Sequence, residues 1–584
     1  MRVLLADEPG FHEGLVQADS TAKPQLPRSP PIWAGSRQEI CENLEYFRSY
    51  QGGVYFKNDI VRGYLLGAFA ASRDLFCHDG KLIISHGGGK SENFVGSKEG
   101  RQLRSAQDQT TSDTSVRALL RNYKEGRPLV LLADDQYTLF PYDLSASGYT
   151  YVVLGIYWIS HAWAECQPTL TNSGCVIRWK FAFQWCEDQG SPWWLTPEGV
   201  VASLPEPLVG ETDPDFHCTQ CLWESPVVYK QSGMCLIPGC AGFWKINGKE
   251  PKSLEYSVEF LRLQPRTFEI LPTLTPAAGT HQITSSLSCP GWHCTDCGRL
   301  SSRFKWECWE CAHCQANQPI KWEIRHAKDF WHLRPTNYFT DLRIARKSGI
   351  TKSLPYVIDM GGGRGFMTRQ TFVLPSDRGK IHLITTGPLS NREVDEIFQG
   401  YQKQASCGEL KLQRYPLRSV RLFHPAIRGT LLANYFSQNS GEPYKYVGET
   451  ANSVPLHEAP NCVQAALDVI KKRVDLAVNQ KSQFNEVLTA AYLAHQKMSF
   501  HSDDEKGLGP IVASLSLGSP AVMHFRHHTS GAAQNHPNEI VMSLILRHGN
   551  VLVMEGCGVQ IHYEHTVIPT DFRIAATARW INPS

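Results

Sequence analysis

Ten of the eighteen cysteines in this chain crowd between residues 218 and 314, and no other feature restricts the fold as much. Cys294-x2-Cys297 and, thirteen residues on, Cys311-x2-Cys314 place two short-spaced pairs on facing knuckles, which supplies four thiolates for a tetrahedral zinc ion. Cys308 is an alternative to either member of the second pair. Upstream, Cys218-x2-Cys221 and Cys235-x4-Cys240 form another set of four, again with thirteen residues inside it. Two structural zinc ions are expected, in a central module over residues 206–330. A zinc closed off by four thiolates keeps no position open for water or substrate, so the module is read as structural. In a secreted chain the same cysteines would read as disulfides. The start, "MRVLLADEPGFHEG", however, has too short an apolar run for a signal peptide, and no segment approaches the ~18 uninterrupted apolar residues of a membrane helix. A soluble, intracellular protein with no membrane partner is expected.

At 584 residues the chain exceeds a single core. Its 58 basic and 56 acidic residues leave net charge silent about partners, and local runs carry more information. One run holds Arg325, Lys328, Arg334, Arg343, Arg346, Lys347 and Lys352 against only Asp329 and Asp341. Residues 1–45, rich in proline, read as a leader without a core. Over 46–205, "RPLVLLAD", "YTYVVLGIYWI" and "CVIRWKFAFQW" are strand-like, with one helix near "SVRALLRNY", so a β-barrel-like domain is expected. A basic connector, 331–379, follows the cysteines. In 380–584, Val463, Leu467, Ile470 and Val474 form one helical stripe. Seven strand-length segments come after it, a pattern that fits a double-stranded β-helix, or jelly roll. The whole is expected to be multidomain, mainly β (α+β).

Within the last region "FHSDDEKG" sets His501 and Asp503 two apart on extended chain, so both point to one side. Two histidines and one carboxylate on one face of a metal leave positions free for a cosubstrate and O2. The second histidine must come from a distant strand, and "HYEHTV" offers His565, with His562 as the competitor. The last strand, "FRIAATARWI", carries Arg573 and Arg579 six apart on one face, and a guanidinium grips a carboxylate with two parallel hydrogen bonds.

Residues 484–518, "FNEVLTAAYLAHQKMSFHSDDEKGLGPIVASLSLG", and 547–579, "RHGNVLVMEGCGVQIHYEHTVIPTDFRIAATAR", resemble the AlkB-like Fe(II)/2-oxoglutarate dioxygenases that demethylate nucleic acids. The resemblance implies iron on His501, Asp503 and His565, and 2-oxoglutarate on Tyr492, Arg573 and Arg579. It implies a base pocket with Tyr446 at the stacking position and Asp504 and Glu505 beside the target base. Two asparagines of the family's pattern are replaced here, by Ala490 and Ala575.

Residues 46–205 resemble SRA (SET- and RING-associated) domains through "GGVYFKNDIVRGYLLGAFAASRD", "HGGGKS" and "RWKFAFQWCEDQGSPWW". This resemblance implies docking on duplex DNA and a flipped-base pocket using Phe69 and Asp74. The second pocket aromatic falls near Ile84 and Ser85.

"YVIDMGGGRGF" is not followed by the alternating helices and strands of a doubly wound sheet, and "HGGGKS" lacks P-loop spacing. His524, His527 and His528 are assigned to a loop. The expected function is Fe(II)- and 2-oxoglutarate-dependent demethylation of bases in nucleic acid, methylated duplex DNA being favoured. The alternatives are a modified-DNA reader without turnover and an RNA demethylase. Nuclear placement is expected from the substrate alone, since Lys471, Lys472 and Arg473 sit inside the helical stripe.

Overall fold

The computed structural model describes residues 23–582 except 68–70, 91–92, 96–101, 105, 170–173, 197–214, 232, 265, 276–290, 336–340, 418–428, 444–452, 495, 504–506 and 529–538. Phe69, Tyr446, Asp504 and Glu505 therefore lie outside the described residues. Two compact units result, one drawn chiefly from residues up to 276 together with 293–300, the other from 301–424 and 430–584.

An eight-stranded sheet organises the first unit. Its order is Val54–Lys57, Ile60–Leu66, Leu129–Asp134, Tyr151–Pro168, Cys175–Trp185, Leu82–His86 and Leu75–Cys77, with Trp33–Ala34 added on Tyr151–Pro168. The expected helix is Thr114–Glu125, which ends on Gly126 in the left-handed conformation that glycine tolerates best. Asn122 on its buried face accepts from the Val61 N–H at 2.8 Å and donates to the Val61 carbonyl at 2.9 Å, tying the helix to the sheet.

Three expected boundaries move. The end of the proline-rich leader is part of the first unit: Ile32, Ala34, Ile40 and Leu44 are buried in one of its core clusters and Trp33 in another. Its helix Arg37–Asn43 is closed by a capping box between Ser36 and Glu39, a signature that the flanking prolines mask. The first cysteine set is not in a module of its own either. Tyr229, Met234, Leu236, Trp244 and Phe260 pack against Leu82, Ile84, Trp163 and Ala182 of the sheet. The basic connector, finally, supplies strands to the second unit, and two of its cations, Arg343 and Lys352, lie on the edge strands Leu342–Ile344 and Thr351–Lys352, where charge discourages further pairing.

In the second unit the strands are β1 (Leu342–Ile344), β2 (Thr351–Lys352), β3 (Tyr356–Asp359), β4 (Phe366–Val373), β5 (Lys380–Thr386), β6 (Phe436–Gly441), β7 (Ser453–Val454), β8 (Glu486–Tyr492), β9 (Met498–His501), β10 (Leu508–Gly518), β11 (Ala521–His527), β12 (Ile540–Leu546), β13 (Val551–Glu555), β14 (Tyr563–Pro569) and β15 (Arg573–Ile581). The larger sheet runs β2-β4-β5-β13-β10-β15-β8-β6-β7 with β3 on β4, and the smaller runs β1-β12-β11-β14-β9. From β8 onward the chain crosses repeatedly between the two sheets, which is the jelly-roll path expected. Helices α1 (Arg392–Ser406) and α2 (Asn461–Val478) cover the larger sheet, and all four stripe residues of α2 are buried in one core with Ala513, Leu515 and Ile574. Among the described residues no helix is long and apolar enough to cross a membrane.

Candidate active site

Strands β9 and β14 set His501 directly opposite His565, with ring centroids 4.2 Å apart. The backbone leaves β9 after His501, and two residues later Asp503 turns inward, only 6% exposed. Its Oδ2 lies 3.9 Å from His565 Nε2. His501 Nδ1 is 2.9 Å from the Ser499 carbonyl. A carbonyl only accepts, so Nδ1 is the donor, which makes Nε2 the ring nitrogen that would ligate a metal. Burial pushes the His565 imidazolium down to about 3, so this ring is neutral at physiological pH. For Asp503, burial is the largest influence and opposes ionisation, but Arg579, His565 and His501 together more than offset it and hold the carboxyl below its usual range. One carboxylate and two imidazoles suit a divalent iron. His562, exposed at the end of the short helix Cys557–His562, is not part of the group.

The two arginines of β15 differ in their surroundings. Arg573 is opposite Tyr492 in register, is 2% exposed and donates from Nη2 to Ser516 Oγ at 3.0 Å. Its buried Nε has no hydrogen-bond partner, and among the described residues no carboxylate pairs with it. Burial lowers its pKa to about 10, which leaves it charged at neutral pH. A buried cation beside an unfilled hydrogen-bonding direction is a site for an anion. Arg579 is instead opposite Glu486, whose Oε2 accepts from Nε at 3.0 Å and Oε1 from Nη2 at 3.4 Å. Its Nη1 is 3.6 Å from Asp503 Oδ1.

These groups line one cavity of about 70 Å³ between the sheets, with His501, Asp503, His565, Arg573 and Arg579 as its polar residues of interest and Met498, Met523 and Leu552 among its apolar ones. Ala490 and Ala575 line it too, so the two replaced asparagines leave an apolar stretch of wall.

Residues 383–577 match the model of the 2OG-Fe(II) oxygenase superfamily. Over these residues the carboxy-terminal unit carries a 2OG-Fe(II) oxygenase domain. Fe(II) and 2-oxoglutarate are the cofactors that this family implies, and the donor set just described fits both. A search of the curated proteins gave no match. Among solved structures, the chain is similar to the SRA domain in the crystal structure of a SUVH5 SRA–methylated CHH DNA complex, at 18% identity and a TM-score of 0.19, over 29% of this chain and 97% of that one.

Outside the oxygenase cavity, the structure gathers both cysteine sets. Cys218 Sγ is 3.8 Å from Cys240 Sγ, and Cys221 Sγ is 3.7 Å from Cys235 Sγ. A tetrahedron with zinc–sulfur bonds of about 2.3 Å has edges of about 3.8 Å, so the set fits zinc. The backbone N–H groups of Cys221 and Gln220 hold the Cys218 thiol down to about 6, favouring the thiolate. Cys294, Cys297, Cys311 and Cys314 bring their sulfurs within 4.8 Å of one another, without Cys308.

Asp74 does not stand ready for a base edge. It is buried, pairs with the fully buried Lys180, accepts from the Ala71 N–H at 2.8 Å and is 3.4 Å from His86 Nδ1. Its acceptor positions are committed within the fold. The partner, Lys180, sits in an apolar strand whose pattern gives no warning of it. His524 also differs from expectation: it lies in β11 rather than a loop, buried and 2.8 Å from Ser543 Oγ.

Two residues of the oxygenase site escape the sequence reading, Ser516 and Glu486. A signal for Glu486 exists: alternation puts Glu486, Leu488, Ala490 and Tyr492 on one face of β8, so a carboxylate there enters the same layer as Tyr492.

Proposed function

We propose that the oxygenase domain demethylates bases in nucleic acid, with DNA as the polymer. The observation that carries the oxygenase half of this reading is Arg573, a buried, charged anchor with no carboxylate paired to it among the described residues, in the cavity that holds His501, Asp503 and His565. A dicarboxylate cosubstrate supplies the missing anion. Nucleic acid as substrate is supported by the motif resemblance in 484–518 and 547–579. The exposed cations Arg343, Arg346, Lys347 and Lys352 on the same unit add to it, because such side chains neutralise phosphate. Duplex docking by residues 46–205 is inferred from their SRA-like motifs, and a nuclear location follows from the substrate.

When bound, Fe(II) with 2-oxoglutarate supplies the means of inserting one oxygen atom of O2 into a methyl C–H bond. His501, Asp503 and His565 would hold the metal on one face. Arg573, aided by Tyr492 and Ser516, would fix the distal carboxylate and so orient the 2-oxo end toward the metal. The apolar walls exclude bulk water from the reacting atoms. A hydroxymethyl group left on nitrogen collapses to formaldehyde and the free base, whereas one left on carbon stays.

A reader without turnover is the second reading, favoured by Ala490 and Ala575, which remove two polar contacts from the cavity wall. Anaerobic loading with Fe(II), then aerobic incubation with 2-oxoglutarate and oligomers carrying single methylated bases, separates the two. Succinate with formaldehyde and loss of a methylene mass supports demethylation and names the base. Gain of one oxygen mass without formaldehyde indicates oxidation at carbon. Succinate with methylated RNA only would shift the polymer, and no succinate with any oligomer, despite bound iron, would leave the reader.

A further inference from the structure

We propose that Glu486 withdraws Arg579 from the cosubstrate and makes it a positioning residue for Asp503, leaving Arg573 as the one cation that grips the 2-oxo acid. The inference rests on the oxygenase reading above and divides its two arginines between two tasks.

Glu486 and Arg579 face each other across β8 and β15, with side chains 0% and 1% exposed. The two carboxylate oxygens occupy the Nε and Nη2 donors, which is the edge a guanidinium uses to hold a carboxylate with two bonds. The remaining terminal nitrogen, Nη1, is directed to Asp503 Oδ1. Asp503 then keeps Oδ2 on the side of His565, the side from which both ligands can reach one ion. A ligand that drew Arg579 away would take from the buried Glu486 carboxylate its paired cation, which low-dielectric surroundings strongly disfavour.

Arg573 is in the opposite position, with its Nε unpartnered and no carboxylate on it among the described residues. Six residues along a strand separate the two α-carbons by about 20 Å, so the two guanidiniums enter the cavity from different ends. A five-carbon diacid anchored at Arg573 would direct its other end toward the metal ligands, where Arg579 is already paired with Glu486. Electrostatic attraction for the dianion therefore comes from Arg573 and the metal.

The test uses the full-length chain under anaerobic conditions with Mn(II) as a metal that binds without turnover. Calorimetry measures 2-oxoglutarate affinity at saturating Mn(II), and electron paramagnetic resonance measures Mn(II) affinity. Arg573→Gln is expected to weaken 2-oxoglutarate about thirtyfold, the loss of a charged hydrogen-bonded contact. The double variant Glu486→Gln/Arg579→Gln removes the pair together; it is expected to bind 2-oxoglutarate within about threefold of the unaltered chain but Mn(II) about tenfold more weakly, the usual effect of losing a group that orients a metal ligand. Should the double variant fail to fold, as judged by its melting transition, Arg579→Lys replaces it. Lysine keeps a charge against Glu486 and loses the second arm to Asp503, so only Mn(II) affinity is expected to fall. Equal loss of 2-oxoglutarate affinity on changing Arg573 or Arg579, with Mn(II) affinity intact, overturns the division of tasks and leaves the oxygenase reading standing. An unaltered chain that binds neither Mn(II) nor 2-oxoglutarate overturns the oxygenase reading itself.

Discussion

Ala490 and Ala575 lie directly opposite one another on β8 and β15, and both face the cavity that holds the candidate iron ligands. The wall is therefore apolar at two adjoining positions. Restoring a single asparagine, Ala490→Asn or Ala575→Asn, is expected to add one hydrogen bond to the bound 2-oxo acid, worth about 1 kcal/mol or roughly fivefold in affinity. Both together should gain less than the sum, because the two amides would occupy the same cross-strand space. Calorimetric titration of 2-oxoglutarate into each variant at saturating Mn(II) checks this, and no gain from either single change would show that the cosubstrate lies away from this wall.

Acid should destabilise the metal-free protein through His565. Its folded pKa, about 3, lies below the ordinary histidine value of 6.5, so the unfolded chain binds a proton that the fold does not. This contribution is fully present above pH 6.5 and is lost as the pH falls from there toward 3. The total is of the order of a few kcal/mol. Denaturant unfolding of the metal-free chain between pH 7 and pH 4 should show this slope, and His565→Gln should flatten it. An unchanged slope in the variant would assign the effect elsewhere.

Zinc content offers a separate check. Two zinc ions per chain are expected by elemental analysis, one lost in Cys221→Ser and the other in Cys297→Ser. Each loss should lower the melting temperature, since a structural zinc couples its binding energy to folding. Cys308→Ser should leave the content at two. Retention of both ions in Cys221→Ser would mean that the first set of sulfurs is not a metal site.

Lys180 is the pivot of a buried ionic group in the first unit, paired with Asp74 and 3.6 Å from Glu165 Oε1. Lys180→Met leaves buried carboxylate charge undercompensated and is expected to cost about 3–5 kcal/mol. The double change Lys180→Met/Asp74→Asn should recover part of it. Chemical denaturation followed by fluorescence reads the difference, and a loss below about 1 kcal/mol, the level of an exposed pair, would place the group in contact with water.

Much of the oxygenase unit is legible in the chain because its strand-length apolar segments are set apart by turn residues and its helix keeps one stripe. The metal-ligand reading depends only on backbone alternation at His501 and Asp503 and on one long-range partner, and register supplies that partner as His565. What escapes is set by pairing across strands. Nothing local in "FNEVLTAAY" says that Glu486 faces Arg579, and nothing in "RWKFAFQW" says that Lys180 reaches Asp74. The domain boundaries fail for a related reason. Composition changes at the proline-rich start and in the basic run suggest linkers, yet a capped helix at 37–43 and the edge strand Leu342–Ile344 each find their partners far away in sequence.

Trp306 lies three residues before Trp309 of the second cysteine region, but its ring belongs to the oxygenase core. It stacks on Trp322 at 4.6 Å and on Phe572 at 5.8 Å, next to the strand that carries both arginines. A recombined or transplanted form of the oxygenase that starts at residue 380 would lose this stack together with β1 to β4. The smallest portable catalytic part is thus longer than the stretch that carries its motifs, and an exchange of parts between related chains would have to break upstream of Trp306 to leave the core whole.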